Sequence, residues 1–516
     1  MSSNRNKIFK DLLILLKNNN KDGIQRRKYI TNLPSNTIPE SKFKPLDGIR
    51  VLELGQLIAG PFCGTILGYY GAEVIKVEPP KTGDPLRVWR HLDIDGVSPW
   101  FRSMGRNKKS CEINLRTDDG RKLVRKLADS SDILIENFRP GTMEKWNLGP
   151  DELSKTNPSL IYTRVSGYGQ TGPYALKPGY ASVCEAMAGF RHINGFPNQP
   201  PVRPNISLGD SVAGLTAALG SVMGLLARDK IKSNTVDTMM ITGQVIDVAI
   251  YESMFNMMEG ILPEYDRFGE IRQPSGTTVT GIVPTNAYQC SDSKYVIIGG
   301  NGDSIYKRLM EAAGRIDLTG EKYATNKQRV KHQQLIDDAI NNWTKTLTSK
   351  QVIESLEQVG VPCGGIYNIK DIVNDEHVKE RELLEVVKVG GNNSDNGWNL
   401  KIPAITPKLT STPGKTNWAG PDLGQHNKEI FDIVNDEHVK ERELLEVVKV
   451  GGNNSDNGWN LKIPAITPKL TSTPGKTNWA GPDLGQHNKE IFVNVLKLSE
   501  QEIIKLQESQ IIGKTL

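Results

Sequence analysis

The amino-terminal half of the chain predicts an α/β fold built around a parallel sheet. Short β-branched or apolar runs recur at 50–54, 73–77, 111–115, 132–137 and 160–165, and helical patterns such as 119–128 and 150–155 lie between several of them. Strands that alternate with helices cannot pair as hairpins, so the sheet is expected to be parallel and covered by helices. The first strand-to-helix turn, Leu54-Gly-Gln-Leu-Ile-Ala-Gly60, lacks the G-x-G-x-x-G fingerprint of dinucleotide sites. Glu78 imitates the acidic ribose partner of such sites, which leaves NAD binding as a weak alternative.

The elements follow in order. Arg50 to Leu54 and Glu73 to Val77 read as the first two strands, and Cys111 to Leu115 as the third. Asp132 to Asn137 and Leu160 to Val165 complete the series. Beyond them, Asn205-Ile-Ser-Leu-Gly-Asp210 precedes a long run of small and apolar residues from Ser211 to Ala227, which reads as a helix. A separate small domain is expected over 265–345, opening on the Gly/Thr-rich stretch 275–281. The remaining divisions are a basic extension at 1–44, a large domain whose first part is 45–264, and its second part at 346–516.

Composition bounds the function. Hydrophobic residues make up 37% of the 516, and the net charge is +5, ordinary values for a globular enzyme. The mild, diffuse basicity suits an anionic small ligand and gives no patch for nucleic acid. Cys63, Cys111, Cys184, Cys290 and Cys363 are scattered without a C-x-x-C pair, the pattern of free thiols in a reducing compartment. No metal-ligand spacing is visible, and four of the seven histidines (His377, His426, His438, His487) sit in a repeated segment. Val212 to Ala227 is interrupted by Gly, Ser and Thr, so no membrane span is expected.

Asp210 is the candidate catalytic residue. It stands where a helix N-cap belongs, and the partial positive charge of a helix N-terminus favours an ionised carboxylate. Gly209 before it leaves no side chain to obstruct a ligand. An ionised, approachable carboxylate can attack an activated acyl group; the alternative is that Asp210 only caps a helix.

The segments Leu52-Glu-Leu-Gly-Gln-Leu-Ile-Ala-Gly-Pro61, Gly71-Ala-Glu-Val-Ile-Lys-Val-Glu78, Arg106-Asn-Lys-Lys-Ser110, Glu136-Asn-Phe-Arg-Pro-Gly141 and the Asp210 block, in this order, resemble the class III CoA-transferases. In overall appearance the chain is most similar to the succinate–hydroxymethylglutarate type. The resemblance implies a Rossmann-like large domain built from the N- and C-terminal parts, a small central domain, and two chains interlocked as a homodimer. It implies that Asp210 is the nucleophile that moves CoA from an acyl-CoA donor, such as succinyl-CoA or another dicarboxylyl-CoA, to a free carboxylic acid through an aspartyl-CoA thioester. CoA then enters as part of the substrate, and no permanently bound cofactor, metal, nucleic acid or membrane is called for.

Carried over position by position, the resemblance implies that Ile113 lines the adenine site and Arg116 meets phosphate. Asn137 and Phe138 would contact the nucleotide end, Lys145 would add a cation, and Tyr180 would lie along the pantetheine, with Gln56 on the facing turn. Each has an ordinary alternative: Ile113 and Phe138 as core, Arg116 and Lys145 as solvated charges. Two departures stand out. Pro79 replaces an arginine seen in some members, and Ala181 follows Tyr180 where many carry an acidic residue. Racemases of the same fold, acting on 2-methylacyl-CoA, resemble Gly-His-Asp there because they need an acid/base pair. Gly179-Tyr180-Ala181 supplies neither partner, so acyl transfer is favoured over racemisation. An inactive acyl-CoA-binding homologue is the other alternative. The glycine-rich stretch from Ser275 to Gly281 would offer backbone N–H groups to oxyanions, and Arg106 or Arg203 would meet a second substrate carboxylate.

Two terminal features remain. The first 38 residues hold eight basic side chains against Asp11 and Asp22, and Ile8, Leu12, Leu13, Leu15 and Leu16 can form one apolar face. This is the pattern of a mitochondrial presequence, and a mitochondrial location is expected, with a polar tail and a cytoplasmic location as the alternative. Residues 371–431 and 432–492 are identical over 61 positions. Working repeats drift in sequence and need several units to bury a core, so one copy is expected to be surplus. Without one copy and the extension, about 410 residues remain, a usual length for the family.

Overall fold

The computed structural model describes residues 43–234, 242–390, 397–432, 445–450, 459–464 and 501. The basic extension and most of the second repeat copy lie outside these residues. The chain divides into two compact units, Met1–Gln425 and His426–Leu516.

The first unit is built on a six-stranded, wholly parallel sheet. Its strands are β1 (Arg50–Glu53), β2 (Glu73–Glu78), β3 (Lys108–Glu112), β4 (Ile133–Glu136), β5 (Ile161–Ser166) and β6 (Gln244–Ala249), in the spatial order β3-β2-β1-β4-β5-β6. This is the doubly wound order in which the direction of winding reverses between β1 and β4, opening a crevice at the carboxyl ends of those strands. Every residue of β4 and β5 is buried, as expected of parallel strands covered on both faces.

The helices used below are α1 (Ala59–Tyr69), α2 (Asp118–Asp129), α3 (Ala181–Met187), α4 (Leu208–Asn234) and α5 (Ile250–Phe255). α1 and α4 pack on each other and on the sheet. Their core includes Val51, Cys63, Leu67, Ile133, Ile135, Ile161, Val165, Ala213, Ala217 and Leu225. The two helices approach closely because Gly214 has no side chain: a Cβ there would lie 2.8 Å from the Ala59 carbonyl oxygen. α4 is long and apolar enough, by composition, to cross a membrane. Here its small-residue face is buried, while Leu215, Leu219, Met223 and Leu226 on the other face are more than half exposed.

One sequence expectation shifts, and one strand has no counterpart in the sequence reading. The third strand begins at Lys108 rather than Cys111, because a polar stretch is inside the sheet. Lys108 is buried and its ammonium pairs with Glu53 at 2.7 Å. The edge strand β6 shows no apolar run that would identify it; four of its six residues are partly or fully exposed.

A second core within this unit surrounds the antiparallel strands β7 (Thr285–Gln289), β8 (Tyr295–Gly299) and β9 (Cys363–Gly365). It is covered by α6 (Asp303–Ala312), α7 (Gln333–Thr344) and α8 (Ser349–Gln358). Val352, Leu356 and Val361 belong to the same cluster as Val283 and Ile340, so this core continues past 345, where the sequence reading set the edge of the small domain.

The first repeat copy returns to the parallel sheet. β10 (Leu384–Val389) and β11 (Trp398–Pro403) pair antiparallel around Val387, Val389 and Ile402. The following strand-free segment is tied down by backbone recognition. Asn107 Nδ2 donates to the Lys415 carbonyl at 2.6 Å, Trp418 Nε1 to the Lys108 carbonyl at 2.9 Å, and Arg87 to the Pro421 carbonyl at 3.0 Å. Arg102 and Gly420 exchange two hydrogen bonds of 2.7 Å. Within the second unit, β12 (Leu445–Val450) pairs with β13 (Trp459–Pro464) in the register of β10 and β11, Leu445 opposite Pro464 as Leu384 is opposite Pro403. Identical sequence has made the same hairpin twice.

Candidate active site

A cavity of about 280 Å³ lies at the switch point, close to the ~300 Å³ lower end of ordinary ligand sites. Five chain segments supply most of its walls. The turn after β1 gives Gln56 and Leu57, the turn after β4 gives Asn137, Phe138 and Arg139, the end of β5 gives Ser166 and Gly167, and the entries to α3 and α4 give Tyr180 and Asp210. The first two turns are clamped together: Asn137 Oδ1 accepts from the Gln56 N–H and Asn137 Nδ2 donates to the Gln56 carbonyl, both at 2.8 Å.

The Gln56 turn rests on a buried charge network. Lys76 pairs with Glu53 at 3.0 Å and with Asp84 at 2.8 Å, and both oxygens of Asp84 accept from the Leu57 N–H at 3.1 Å. Leu57 has φ of +65°, a left-handed conformation that a branched side chain adopts only when its surroundings impose it. Burial works against the ammonium of Lys76, yet Asp84 and Glu53 together raise its pKa above the usual lysine value. Lys108 meets Glu53 and the repulsion of Lys76, and burial lowers its pKa. Glu78 is also buried. Although desolvation pushes it up, hydrogen bonds from Arg87 and Ser110 and the charge of Lys76 hold it down to about 2. A carboxylate so committed has no oxygen to spare for a ribose, which removes the argument for NAD.

Asp210 is the third residue of α4, in its first turn, and Ser207 rather than Asp210 precedes the helix. Its charge state is also governed differently from the sequence expectation. Desolvation, reinforced by the charge of Glu185, raises its pKa to about 6, with Arg203 offsetting part of the rise. The direction is therefore opposite to the one the helix N-terminus alone would give. Glu185 on α3 is fully buried; its Oε1 accepts from the Gly209 N–H at 3.0 Å. Cys184 beside it is buried, its thiol pushed up to about 12 by burial and by Asp210 and Glu185.

The structure brings Gln56, Asn137, Phe138, Tyr180 and Asp210 around one cavity. Tyr180 is 73% exposed over it, and the Phe138 ring packs edge-on against Trp146 at 5.2 Å. Ile113, Arg116 and Lys145 are not in its wall. Ile113 is buried, with its N–H on the Glu78 carbonyl at 3.0 Å. Arg116 is exposed in the turn after β3, and Lys145 is exposed on the short helix Thr142–Lys145. Arg106 is excluded as a substrate cation: it is buried, stacks 4.7 Å over Tyr69 and donates to the Pro403 carbonyl at 2.6 Å. Nor does the stretch Ser275–Gly281 reach this cavity, and the Gly276 N–H is already given to the Gly195 carbonyl at 2.9 Å. Sequence reasoning overlooked Arg139 and Lys177, two cations in the wall. Arg139 sits inside a stretch singled out for other residues and Lys177 three positions before Tyr180, and only the fold shows which way those stretches face.

The sequence model of CoA-transferase family III matches residues 46–427. Succinyl-CoA–D-citramalate CoA-transferase of Chloroflexus aurantiacus is 45% identical over 389 residues, 75% of this chain and 93% of that protein. Succinyl-CoA:mesaconate CoA-transferase of Haloarcula marismortui is 32% identical, over 75% of this chain and 96% of that one. Succinyl-CoA:glutarate CoA-transferase of Mus musculus is 32% identical, over 76% and 86%. A crystal structure of a CAIB/BAIF family protein from Brucella suis superposes with a TM-score of 0.65 at 29% identity, covering 76% of this chain and all of that one.

Proposed function

The chain belongs to CoA-transferase family III and is a CoA-transferase, and from that premise we propose that it moves CoA from succinyl-CoA to a short di- or hydroxydicarboxylic acid through Asp210. The observation that supports this most directly is Asp210 in the wall of the switch-point cavity, beside Gln56, Asn137 and Tyr180. The relatives named above share succinyl-CoA as donor, and their acceptors are acids with two carboxylates.

The steps follow from the chemistry of a carboxylate. An Asp210 oxygen attacks the thioester carbon, the C–S bond breaks, and a mixed anhydride and CoA thiolate result. The thiolate attacks the Asp210 acyl carbon of that anhydride, releasing succinate and leaving an aspartyl-CoA thioester. The acceptor carboxylate attacks this thioester, forming a second anhydride and freeing the thiolate again. Attack of the thiolate on the acceptor's acyl carbon yields the new acyl-CoA and restores Asp210. No net hydrolysis occurs, so the energy of the thioester is kept. We assign Arg139 and Lys177 to the anionic groups of CoA, because both cations line the cavity. Arg203, which acts electrostatically on Asp210, is assigned to the distal carboxylate of the acid.

The enzyme acts, in this reading, as a homodimer whose second copy covers the exposed Leu215, Leu219, Met223 and Leu226 stripe, and the basic extension directs it to mitochondria. Ile113, Arg116 and Lys145 are kept as outer CoA contacts only if substitution of each raises KM for the donor.

The test is trapping. Borohydride added during turnover should reduce the thioester and leave a mass change on the peptide holding Asp210. Asp210→Ala should lose about a thousandfold or more in kcat while staying folded. Near-normal transfer by that variant would end the proposal. A screen of acids against succinyl-CoA by mass spectrometry then identifies the acceptor, and Arg203→Met should weaken dicarboxylates more than monocarboxylates.

A further inference from the structure

Glu185 is a buried acid that the reaction above does not use. It is fully buried on α3, and its two oxygens differ. Oε1 accepts the Gly209 N–H at 3.0 Å, whereas Oε2 is buried with no hydrogen-bond partner among the described residues. The contact is tight: a Cβ on Gly209 would stand 3.2 Å from Glu185 Cγ and 3.3 Å from Oε1. An unpartnered carboxylate oxygen inside a protein is costly, and the side chain that carries it holds Gly209, the residue before Asp210. If α3 needed only an acceptor for the Gly209 N–H, an uncharged amide would serve at lower cost. The second oxygen and its charge therefore call for another role.

We propose that Glu185 is a positioning residue for Asp210: it fixes the first turn of α4 through Gly209, and its negative charge makes the ionised Asp210 less favourable than the uncharged, acylated Asp210. The inference rests on the reading of Asp210 as nucleophile. Attack converts the Asp210 carboxylate into an anhydride and then a thioester, both neutral at that side chain. The repulsion between two buried carboxylates is present before attack and gone after it, so the covalent enzyme gains relative to free enzyme. This is ground-state destabilisation tied to a particular pair of charges. Other charged or titratable groups on the neighbouring elements are Cys184 on α3, Arg203 before α4, Tyr251 and Glu252 on α5, and Arg191 and His192 on the short helix after α3. Of these, Arg203 lowers the Asp210 pKa, opposite in sign to the effect of Glu185. The Tyr251 hydroxyl instead donates to Glu252 at 3.0 Å, and Arg191 donates to the Val202 carbonyl at 2.8 Å.

Glu185→Gln separates charge from anchoring, because a glutamine oxygen can still accept the Gly209 N–H. In this variant the acid limb of kcat/KM should move down by roughly one pH unit. The fraction of chains carrying CoA on Asp210, read by intact mass at a fixed succinyl-CoA to succinate ratio, should fall several-fold. Glu185→Asp keeps the charge but shortens the reach; it should lower the melting temperature and leave the acid limb near its wild-type position. A Glu185→Gln enzyme with the wild-type acid limb and the wild-type covalent fraction would overturn the proposal and leave Glu185 a purely structural residue. So would a Glu185→Asp enzyme whose acid limb falls. If wild-type enzyme never carries CoA on Asp210 and Asp210→Ala still turns over, the nucleophile assignment itself fails and the inference falls with it.

Discussion

In the role proposed for it, Asp210 must be ionised to attack a thioester, and its surroundings oppose that ionisation. Its folded pKa of about 6 lies above the ordinary 3.8, raised by burial and then by Glu185. Two consequences follow with defined signs. Activity needs the carboxylate, so kcat/KM should rise with pH through about 6 and level off above it, measured under constant ionic strength. Stability runs the other way. A carboxyl whose pKa is raised by folding favours the folded state fully below its unfolded value, near 4, and that contribution is lost as pH rises through about 6. Asp210→Asn is neutral throughout. Its melting temperature should therefore exceed that of the wild type at pH 8 and match it near pH 4. Equal melting temperatures at both pH values would show that Asp210 is not destabilised by its site.

At the scale of elements, the site depends on how α1 seats over β1. Gly64 on α1 faces the buried Glu53 carboxylate, and a Cβ there would collide with Glu53 Oε2. Glu53 cannot move aside, since Lys76 and Lys108 hold its two oxygens at 3.0 and 2.7 Å. Gly64→Ala should cost about 1–3 kcal/mol in urea unfolding, the usual range for overpacking. It should also raise KM for succinyl-CoA, because Lys76 and Asp84 support the strained Leu57 turn in the cavity wall. The strand-helix alternation was legible in the sequence because β4 and β5 are continuous apolar runs between polar turns. β3 was misplaced because its inward lysine reads as a surface residue until Glu53 is seen opposite it. α4 was legible as a helix, but its first residue was not, since capping residues such as Ser207 and Asp210 are both acceptable starts.

At the scale of the molecule, the repeat is the unusual feature. The contacts that tie the C-terminal segment to the parallel sheet, through Asn107, Trp418, Arg102, Gly420 and Pro421, involve residues of the first copy. The family match closes at residue 427, just before that copy ends at 431. Deleting Asp432 to Phe492 joins Phe431 to Val493, the same junction that follows the second copy. The deleted protein should keep its activity and gain in solubility and melting temperature. A loop of this length costs only logarithmically in entropy, so the full chain can still fold. Loss of folding on deletion would show that both copies are structural. The exposed stripe on α4 bears on assembly: the proposed homodimer, interlocked as the resemblance implies, would bury far more than the ~1,600 Å² of a standard interface, so sedimentation at nanomolar concentration should show a dimer. Active monomer under those conditions would contradict the homodimer.

The sequence by itself determined the fold class, the family resemblance, the repeat and the candidacy of Asp210. These are properties of local pattern: apolar runs, glycine and proline punctuation, and a short block around one aspartate survive being read one segment at a time. What surrounds Asp210 was decided only by tertiary structure. Gln56 and Asn137 lie 81 positions apart and meet only because β1 and β4 are neighbours in the sheet. Arg106 and Arg203 look alike as isolated cations, yet one is spent on Tyr69 and Pro403 while the other acts on Asp210. Glu185 is an ordinary helical acid in sequence; packing of α3 against α4 and α5 buries it against Gly209, next to Asp210. Burial and long-range electrostatics are sums over neighbours that the chain brings together on folding, and no single segment contains them.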